Sequence, residues 1–307
     1  MRTACLWDAD TCSSAALGGH LEVLQWARAN GCPWNVDTCS YAAKGGHLEV
    51  LQWLRANGCP WDANTCHGAA MGWHLEVLQW ARANGCPWDI RTCDNAAGGG
   101  HLKVLLWARK NGRPCDENEL HVAVLNGQVA MVRALIELRA HVNKAAGVDG
   151  VAPLCVAADR GHDAIVRTLI EFGADVNKAR DTGATLLCAA AHQGHETVLR
   201  ALIEAGADVD KASNEGVTPL YVAAGEGHET VVRTLIQTGA DINKASNDGA
   251  TPLFIAAANG HEVVVRALIE ASADVNMAMD DGATPLLIAA EIGHEPVVQI
   301  LRDAGAV

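Results

Sequence analysis

Aromatic side chains are scarce in most of this chain. Its 307 residues include two Phe and two Tyr, and all nine tryptophans lie between Trp7 and Trp107. Half the residues are apolar, so outside the tryptophan-bearing stretch the core has to be built from small and aliphatic side chains. No run of 18 apolar residues occurs, and Met1–Asp8 contains no apolar signal core. A membrane span or a secretory leader is therefore not expected. Basic charge is also short: the net charge is −13. Residues 1–116 hold 10 Lys+Arg and 10 Asp+Glu, whereas 117–307 hold 13 and 26, so the whole deficit lies in the second part. A field of that sign repels phosphate backbones and argues against nucleic acid as a partner. Phosphate loop, nucleophile elbow, His-Glu-x-x-His and Ca²⁺ loop are all missing. The reading is a non-catalytic protein without cofactor, in a reducing compartment, the cytoplasm or the nucleus.

What is abundant is repetition. Histidine recurs at His20, His47, His74 and His101, every 27 residues, and at His162, His195, His228, His261 and His294, every 33. A fixed period in this range marks stacked supersecondary units that contact only their neighbours. In the 27-residue unit Asp37 is expected to cap a first helix over Thr38–Lys44. Cys39, Ala42 and Ala43 give that helix a narrow face of small residues. Gly45-Gly46 breaks it. A second helix follows from Leu48 to Asn57 with a Val50, Leu51, Leu54 stripe, and Gly58 closes it in a left-handed C-cap. Cys59-Pro60-Trp61 then turns and drops an indole onto the stack.

These residues resemble the ankyrin repeat in their Ala-Ala-x-x-Gly-His core, their Val-Leu stripe and their terminal Gly. Residues 1–116 resemble a shortened 27-residue variant, with six fewer residues where the usual repeat builds a β-hairpin finger. Residues 117–307 resemble the standard 33-residue form. The chain divides accordingly into short units (1–116), an irregular junction (117–150) and long units (151–307). The resemblance implies an all-α repeat solenoid of about ten stacked antiparallel helix pairs, with β-hairpin fingers mainly in the C-terminal half. In the junction Gln128 stands where the others have His, and Arg139 takes a C-cap place that favours Gly, which makes 111–150 the least stable region and a candidate hinge. In the long units Thr218-Pro219, Thr251-Pro252 and Thr284-Pro285 read as N-cap Thr with Pro at the first helical position. Tyr221, Phe254 and Leu287 replace the family's usual His, so apolar packing must substitute there. Ser272 replaces another C-cap Gly. Ala4-Cys5-Leu6-Trp7-Asp8 matches the closing turn of a unit, so the chain reads as part of a longer protein.

Helices in a stack stand roughly 8–10 Å apart, too far for successive histidines to share a metal ion with bonds of about 2 Å. They are read as satisfying backbone groups in the connector. The cysteines (Cys5/Cys12, Cys32/Cys39, Cys59/Cys66, Cys86/Cys93, seven apart) lack the close spacing of zinc ribbons. They read as small core hydrophobes, with a metal or redox role as the alternative. The finger carboxylates read as turn chemistry, with an acidic ridge as the alternative.

The resemblance further implies a monomeric scaffold that binds a protein partner on its concave face. By position that face comprises Leu17, Lys44, Met71, Leu125, Asp159, Arg160, His192, Gln193, Glu226, Asn259 and Ile292. The finger residues Arg180, Asp181, Asn214, Glu215, Asn247, Asp248, Asp280 and Asp281 join it. Trp73, which replaces the connector Gly before His74, is singled out as an exposed anchor. An adaptor that recruits substrates to a ubiquitin ligase is the competing reading.

Overall fold

A computed structural model describes residues 8–112, 118–146, 151–178 and 183–307. Among them are twenty helices that pair as ten helix–turn–helix couples. The chain forms two compact units, Met1–His141 with Ala146–Asp149, and Val142–Ala145 with Gly150–Val307. In unit 1 the first helices are α1 (Ala9–Leu17), α3 (Val36–Lys44), α5 (Ala63–Met71), α7 (Arg91–Gly98) and α9 (Asn118–Leu125). The second helices are α2 (Leu21–Ala29), α4 (Leu48–Ala56), α6 (Leu75–Ala83), α8 (Leu102–Lys110) and α10 (Val129–Glu137). In unit 2 the first helices are α11 (Pro153–Asp159), α13 (Leu186–Gln193), α15 (Pro219–Glu226), α17 (Pro252–Ala258) and α19 (Pro285–Ile292). Their partners are α12 (Asp163–Glu171), α14 (Glu196–Glu204), α16 (Glu229–Gln237), α18 (Glu262–Glu270) and α20 (Glu295–Asp303).

Small residues set the geometry of unit 1. Cys12, Ala16, Cys39, Ala42, Ala43, Cys66, Ala69, Ala70, Cys93, Ala96 and Ala97 are fully buried along the first helices. That face lets α1, α3, α5 and α7 approach closely in succession, while the second-helix backbones stand further apart. Indoles fill the space so created. Trp34, Trp61 and Trp88, each in the turn that closes a repeat, meet Trp53, Trp80 and Trp107 of the next repeat edge to face, with ring centroids 5.7–5.9 Å apart. Arg28, Arg55 and Arg82 lie over the rings of Trp34, Trp61 and Trp88 at 4.0–4.3 Å. Each guanidinium also donates to a turn carbonyl, that of Cys32, Cys59 or Cys86. The arginine thus holds the indole that spans to the neighbour.

Unit 2 solves the same problem with backbone. Its second helices pack directly on one another, and Asp-x-Asx turns link successive repeats. Asp208, Asp241 and Asp274 each accept from the backbone N–H two residues on. The Asx at that second position then accepts from the next repeat: Asn177 from Asp208 N–H, Asp210 from Asp241 N–H, and Asn243 from Asp274 N–H, at 2.9–3.4 Å. Thr185, Thr218, Thr251 and Thr284 cap their first helices, three of them followed by Pro as expected. Phe254 is buried and Tyr221 half-buried, so apolar contact does replace the missing histidine there; Leu287 is exposed.

The remaining expectations meet the structure unevenly. Ten couples form, but no strand forms among the described residues. The expected β-hairpin fingers are instead single tight turns, closed by Ser213 N–H to Val217 O, Ser246 N–H to Ala250 O and Met279 N–H to Ala283 O. Each closes within five residues, too short for a ladder on either side. The short-unit helix starts earlier than expected: Asn35, not Asp37, is the N-cap, and Asp37 donates its own N–H to it. Arg139, Ser272 and Trp73 adopt positive φ, at 71°, 71° and 72°, in the places where other repeats carry Gly. Around the junction Glu119 is fully buried and paired with Arg109 at 2.8 Å. The readings for Ala4–Trp7, Arg180 and Asp181 lie outside the described residues.

Two substitutions test these packing differences. Gly161 and Gly173 share a left-handed backbone, φ 69° and 83°, but a Cβ on Gly161 would stand 2.7 Å from the His195 ring whereas one on Gly173 meets open space. Gly173→Ala is expected to cost about 1 kcal/mol, and Gly161→Ala about 1–3 kcal/mol more, read as the difference in urea-unfolding free energy. Arg55→Ala is expected to destabilise unit 1 by about 1–2 kcal/mol, the sum of a cation–π contact and a carbonyl hydrogen bond. Arg55→Lys should recover less than half of that, because an ammonium cannot cover the indole and reach the carbonyl together.

Candidate functional site

Within each compact unit, seven repeats in all are registered on the one before by their histidine. His47 Nε2 donates to the Leu17 carbonyl at 3.0 Å, His195 to Asp159 at 3.1 Å, His228 to His192 at 2.9 Å, His261 to Gly225 at 2.8 Å and His294 to Ala258 at 3.0 Å. His74 and His101 make the equivalent bonds to the backbone of Lys44 and Met71. The acceptors lie in the last turn of the preceding first helix, where carbonyls lack an intrahelical partner. The histidines therefore bridge repeats, rather than serving the connector within one as their spacing suggests. The imidazole rests on the connector Gly of the preceding repeat, and Gln128 takes the same place over Gly100.

This register lines up the first-helix residues whose identity changes from repeat to repeat. In unit 1 they form a groove of about 400 Å³ across three successive repeats, with Tyr41, Lys44, His67, Met71, Arg91 and Asn95 among its walls. Lys44 and Met71 are exposed, and Leu17 lies in the same register one repeat earlier. Trp73 is 70% exposed, and its ring lies 4.7 Å from the His101 ring, covering an imidazole that is itself buried. Leu125 is half-buried. Sequence reasoning misses Tyr41, His67, Arg91 and Asn95. Their register carries the signal: Ser14, Tyr41, Gly68 and Asn95 stand 27 apart and differ in every repeat. His67 is fixed by Asp89 at 2.5 Å and Asn64 at 3.3 Å. Removal from water holds its imidazole below the usual histidine range, although the Asp89 carboxylate opposes this.

In unit 2 the corresponding row is Asp159 (half-buried) and the exposed Arg160, His192, Gln193, Glu226, Asn259 and Ile292. His192 Nδ1 meets Glu226 Oε1 at 3.1 Å, and Asn259 donates to the Gly225 carbonyl at 2.7 Å. The turn residues Asn214, Glu215, Asn247, Asp248, Asp280 and Asp281 are all exposed. Successive turns are joined by Asn247 N–H to Glu215 O and Asp280 N–H to Asp248 O. Asp248 accepts from the Ser246 hydroxyl, which holds its carboxyl below the usual range, and Asp281 accepts from Ala283 N–H. Turn chemistry thus occupies one oxygen of each of these two carboxylates and leaves the other facing solvent.

The cysteines group differently from the expected couples. Cys12 and Cys32 Sγ atoms stand 3.0 Å apart, and Cys39/Cys59 and Cys66/Cys86 are likewise hydrogen-bonded, twenty residues apart rather than seven. Among the described residues no three His, Cys, Asp or Glu side chains converge as metal ligands, and no helix is long and apolar enough to cross a membrane.

Helix couples latched in series, with variable side chains aligned at one edge, define a helical-repeat protein. A family model described as ankyrin repeats (3 copies) matches residues 67–180, 154–246 and 239–307, and the chain belongs to the ankyrin repeat family. No curated protein matches it significantly.

The latch has a pH dependence. Loss of hydration holds His74 and His101 below the ordinary 6.5, with their backbone bonds acting in the opposite sense. The unfolded chain therefore takes up protons first as pH falls below about 6.5, and the stability these groups contribute is full above that value and lost through the depressed folded one. The urea midpoint of unit 1 is expected to drop between about pH 7 and about pH 5. A His74→Gln, His101→Gln variant, which follows the natural example of Gln128, should show a shallower drop; an unchanged slope would mean other groups carry it.

Proposed function

We propose that the protein is a non-catalytic scaffold that recognises another protein along the concave face of its first helices and the tips of its turns. Ankyrin repeats are in general protein-interaction modules. The observation that carries the reading is a contrast within each short repeat. Ala16, Ala43, Ala70 and Ala97 are identical and fully buried. Two residues earlier stand Ser14, Tyr41, Gly68 and Asn95, and one residue later Leu17, Lys44, Met71 and Gly98, with no repetition at all. Packing dictates the first set and leaves the second to the partner.

The two units present different chemistry to that partner. Unit 1 offers Tyr41, Met71 and Trp73 beside Lys44 and Arg91, an apolar surface of balanced charge suited to a side-chain anchor. Unit 2 offers Glu215, Glu226, Asp248, Asp280 and Asp281, which favour a basic segment.

Affinity capture with the intact chain tests this when repeated with Met71→Ser plus Trp73→Gly, and separately with Glu215→Lys, Asp248→Lys and Asp280→Lys combined. Circular dichroism checks that each variant folds. At least one variant is expected to lose its partner roughly tenfold, equivalent to about 1.4 kcal/mol. Undiminished capture by both would place recognition on another surface.

A further inference from the structure

The thiol pairs of the short repeats do more than fill space. Cys12/Cys32, Cys39/Cys59 and Cys66/Cys86 each join a first helix to the turn that closes the same repeat, and all six are fully buried. A small hydrophobe would satisfy a packing role at either place without placing sulfur against sulfur three times over. The turn thiol is also oriented: Cys32 donates to Asp8 O at 3.3 Å, Cys59 to Asn35 O at 3.5 Å and Cys86 to Asp62 O at 3.4 Å. Each acceptor is the N-cap residue of the repeat's own first helix, so the turn thiol is held in line with its helix partner. At Cys12/Cys32 the sulfurs need to close only from 3.0 Å to a bond of about 2.05 Å. The residue twenty positions after Cys93 is Arg113, not Cys, and Cys188 meets the Thr185 hydroxyl. Among the described residues the arrangement is seen in three repeats.

The geometry points to three oxidisable dithiols: a peroxide converts each pair into a disulfide within its own repeat, locking the closing turn to the first helix. The turn cysteine attacks as thiolate, its sulfur taking one peroxide oxygen to give a sulfenic acid and, after proton uptake, water. The helix thiol then attacks that sulfur and the sulfenic oxygen leaves as a second water. Two thiols and one hydrogen peroxide give one disulfide and two waters. The guanidinium that reaches the turn carbonyl stands beside the attacking sulfur. The hydrogen bond from Cys39 holds Cys59 below its ordinary value and Arg55 acts in the same direction, while Cys39 itself is pushed up; Cys86 and Cys66 repeat this division. Because the turn also carries Trp34, Trp61 or Trp88, oxidation fixes the indoles that couple one short repeat to the next.

The test uses the intact, natively folded chain with Cys5→Ser and Cys115→Ser, exposed to hydrogen peroxide without denaturant, then alkylated and mapped without reduction. The expected result is three cross-links, 12–32, 39–59 and 66–86, all reversed by a dithiol reductant. Any of these six thiols still alkylatable after an exposed thiol standard is consumed would overturn the proposal, as would links between different repeats or links that form only in urea. A sulfenic-acid trap assigns the roles: Cys39→Ser should leave Cys59 trappable, and Cys59→Ser should leave Cys39 at least about tenfold less reactive. The opposite pattern overturns the assignment of the nucleophile. Mapping of the parent chain decides the pairing even where a serine variant fails to fold.

Discussion

A carbonyl left over at the end of a short helix is the constraint on which this architecture turns. First helices of seven to nine residues leave a large share of their carbonyls outside the intrahelical ladder, and stacking a second repeat on top removes water from them. An unsatisfied buried carbonyl costs about 1–3 kcal/mol, a serious loss for a unit with so little core of its own. The histidine of the next repeat supplies the missing N–H. Supplying it demands a flat ring lying across the preceding connector, and that connector is therefore Gly almost everywhere. The exceptions follow the same rule. Gln128 also carries an N–H donor on a side chain of similar reach. Trp73 cannot leave room by being small, so it turns its indole against the His101 ring and accepts a positive φ.

With the inner edge fastened this way, the outer edge is free to vary, and the two halves differ there. Six residues per repeat separate the periods, and the short form lacks the Asp-x-Asx turn that hands an N–H from one repeat to the next. In its place come an indole pair, a guanidinium over one ring, and a hydrogen-bonded thiol pair. Edge-to-face aromatic pairs contribute about 0.5–1.5 kcal/mol beyond burial and an exposed cation–π contact about 0.5–1. That is comparable to the one or two backbone-to-carboxylate hydrogen bonds they replace. The absence of tryptophan after Trp107 and the concentration of acid in the second half are therefore two sides of one exchange: Trp and Arg hold the short repeats, whereas Asp and Asn hold the long ones.

Much of this is legible in the sequence, and what is not has a physical reason. The number of couples, the position of each break and the three residues standing in for Gly follow from periodicity and from the few residues that tolerate positive φ. The helix start at Val36 instead of Thr38 is hidden because Asn35 and Asp37 are both good caps, and only the chain's path decides between them. The thiol register is hidden because adjacency along the chain, seven residues, is not adjacency in space. The repeat folds back on itself and brings together residues twenty apart. The groove residues Tyr41, His67, Arg91 and Asn95 escape because the resemblance places recognition at the helix end, and positions one or two turns further back still face the same side. Hairpins are more than the finger residues specify, since Asx-Gly chemistry demands a tight turn without requiring strands on either side.

The distribution of charge bears on how a partner would be held. Most carboxylates of unit 2 are exposed, and exposed pairs contribute about 0–1 kcal/mol each, screened beyond about 10 Å at moderate salt. On the proposed reading, Glu215, Asp248, Asp280 and Asp281 would therefore set approach and orientation far more than residence. Asp248 and Asp281 already spend one oxygen on their own turn, which fixes the direction of the other and lowers the entropy lost on contact. Unit 1 is the complement: near neutrality it offers little steering, but Met71, Tyr41 and the indole of Trp73 present apolar area that gains about 25 cal/mol per Å² on burial. Trp73 adds a property that the others lack. Its backbone is held in a left-handed turn and its ring rests on His101, so for a partner docking there the side chain would be pre-set rather than ordered on contact, with less conformational entropy left to lose.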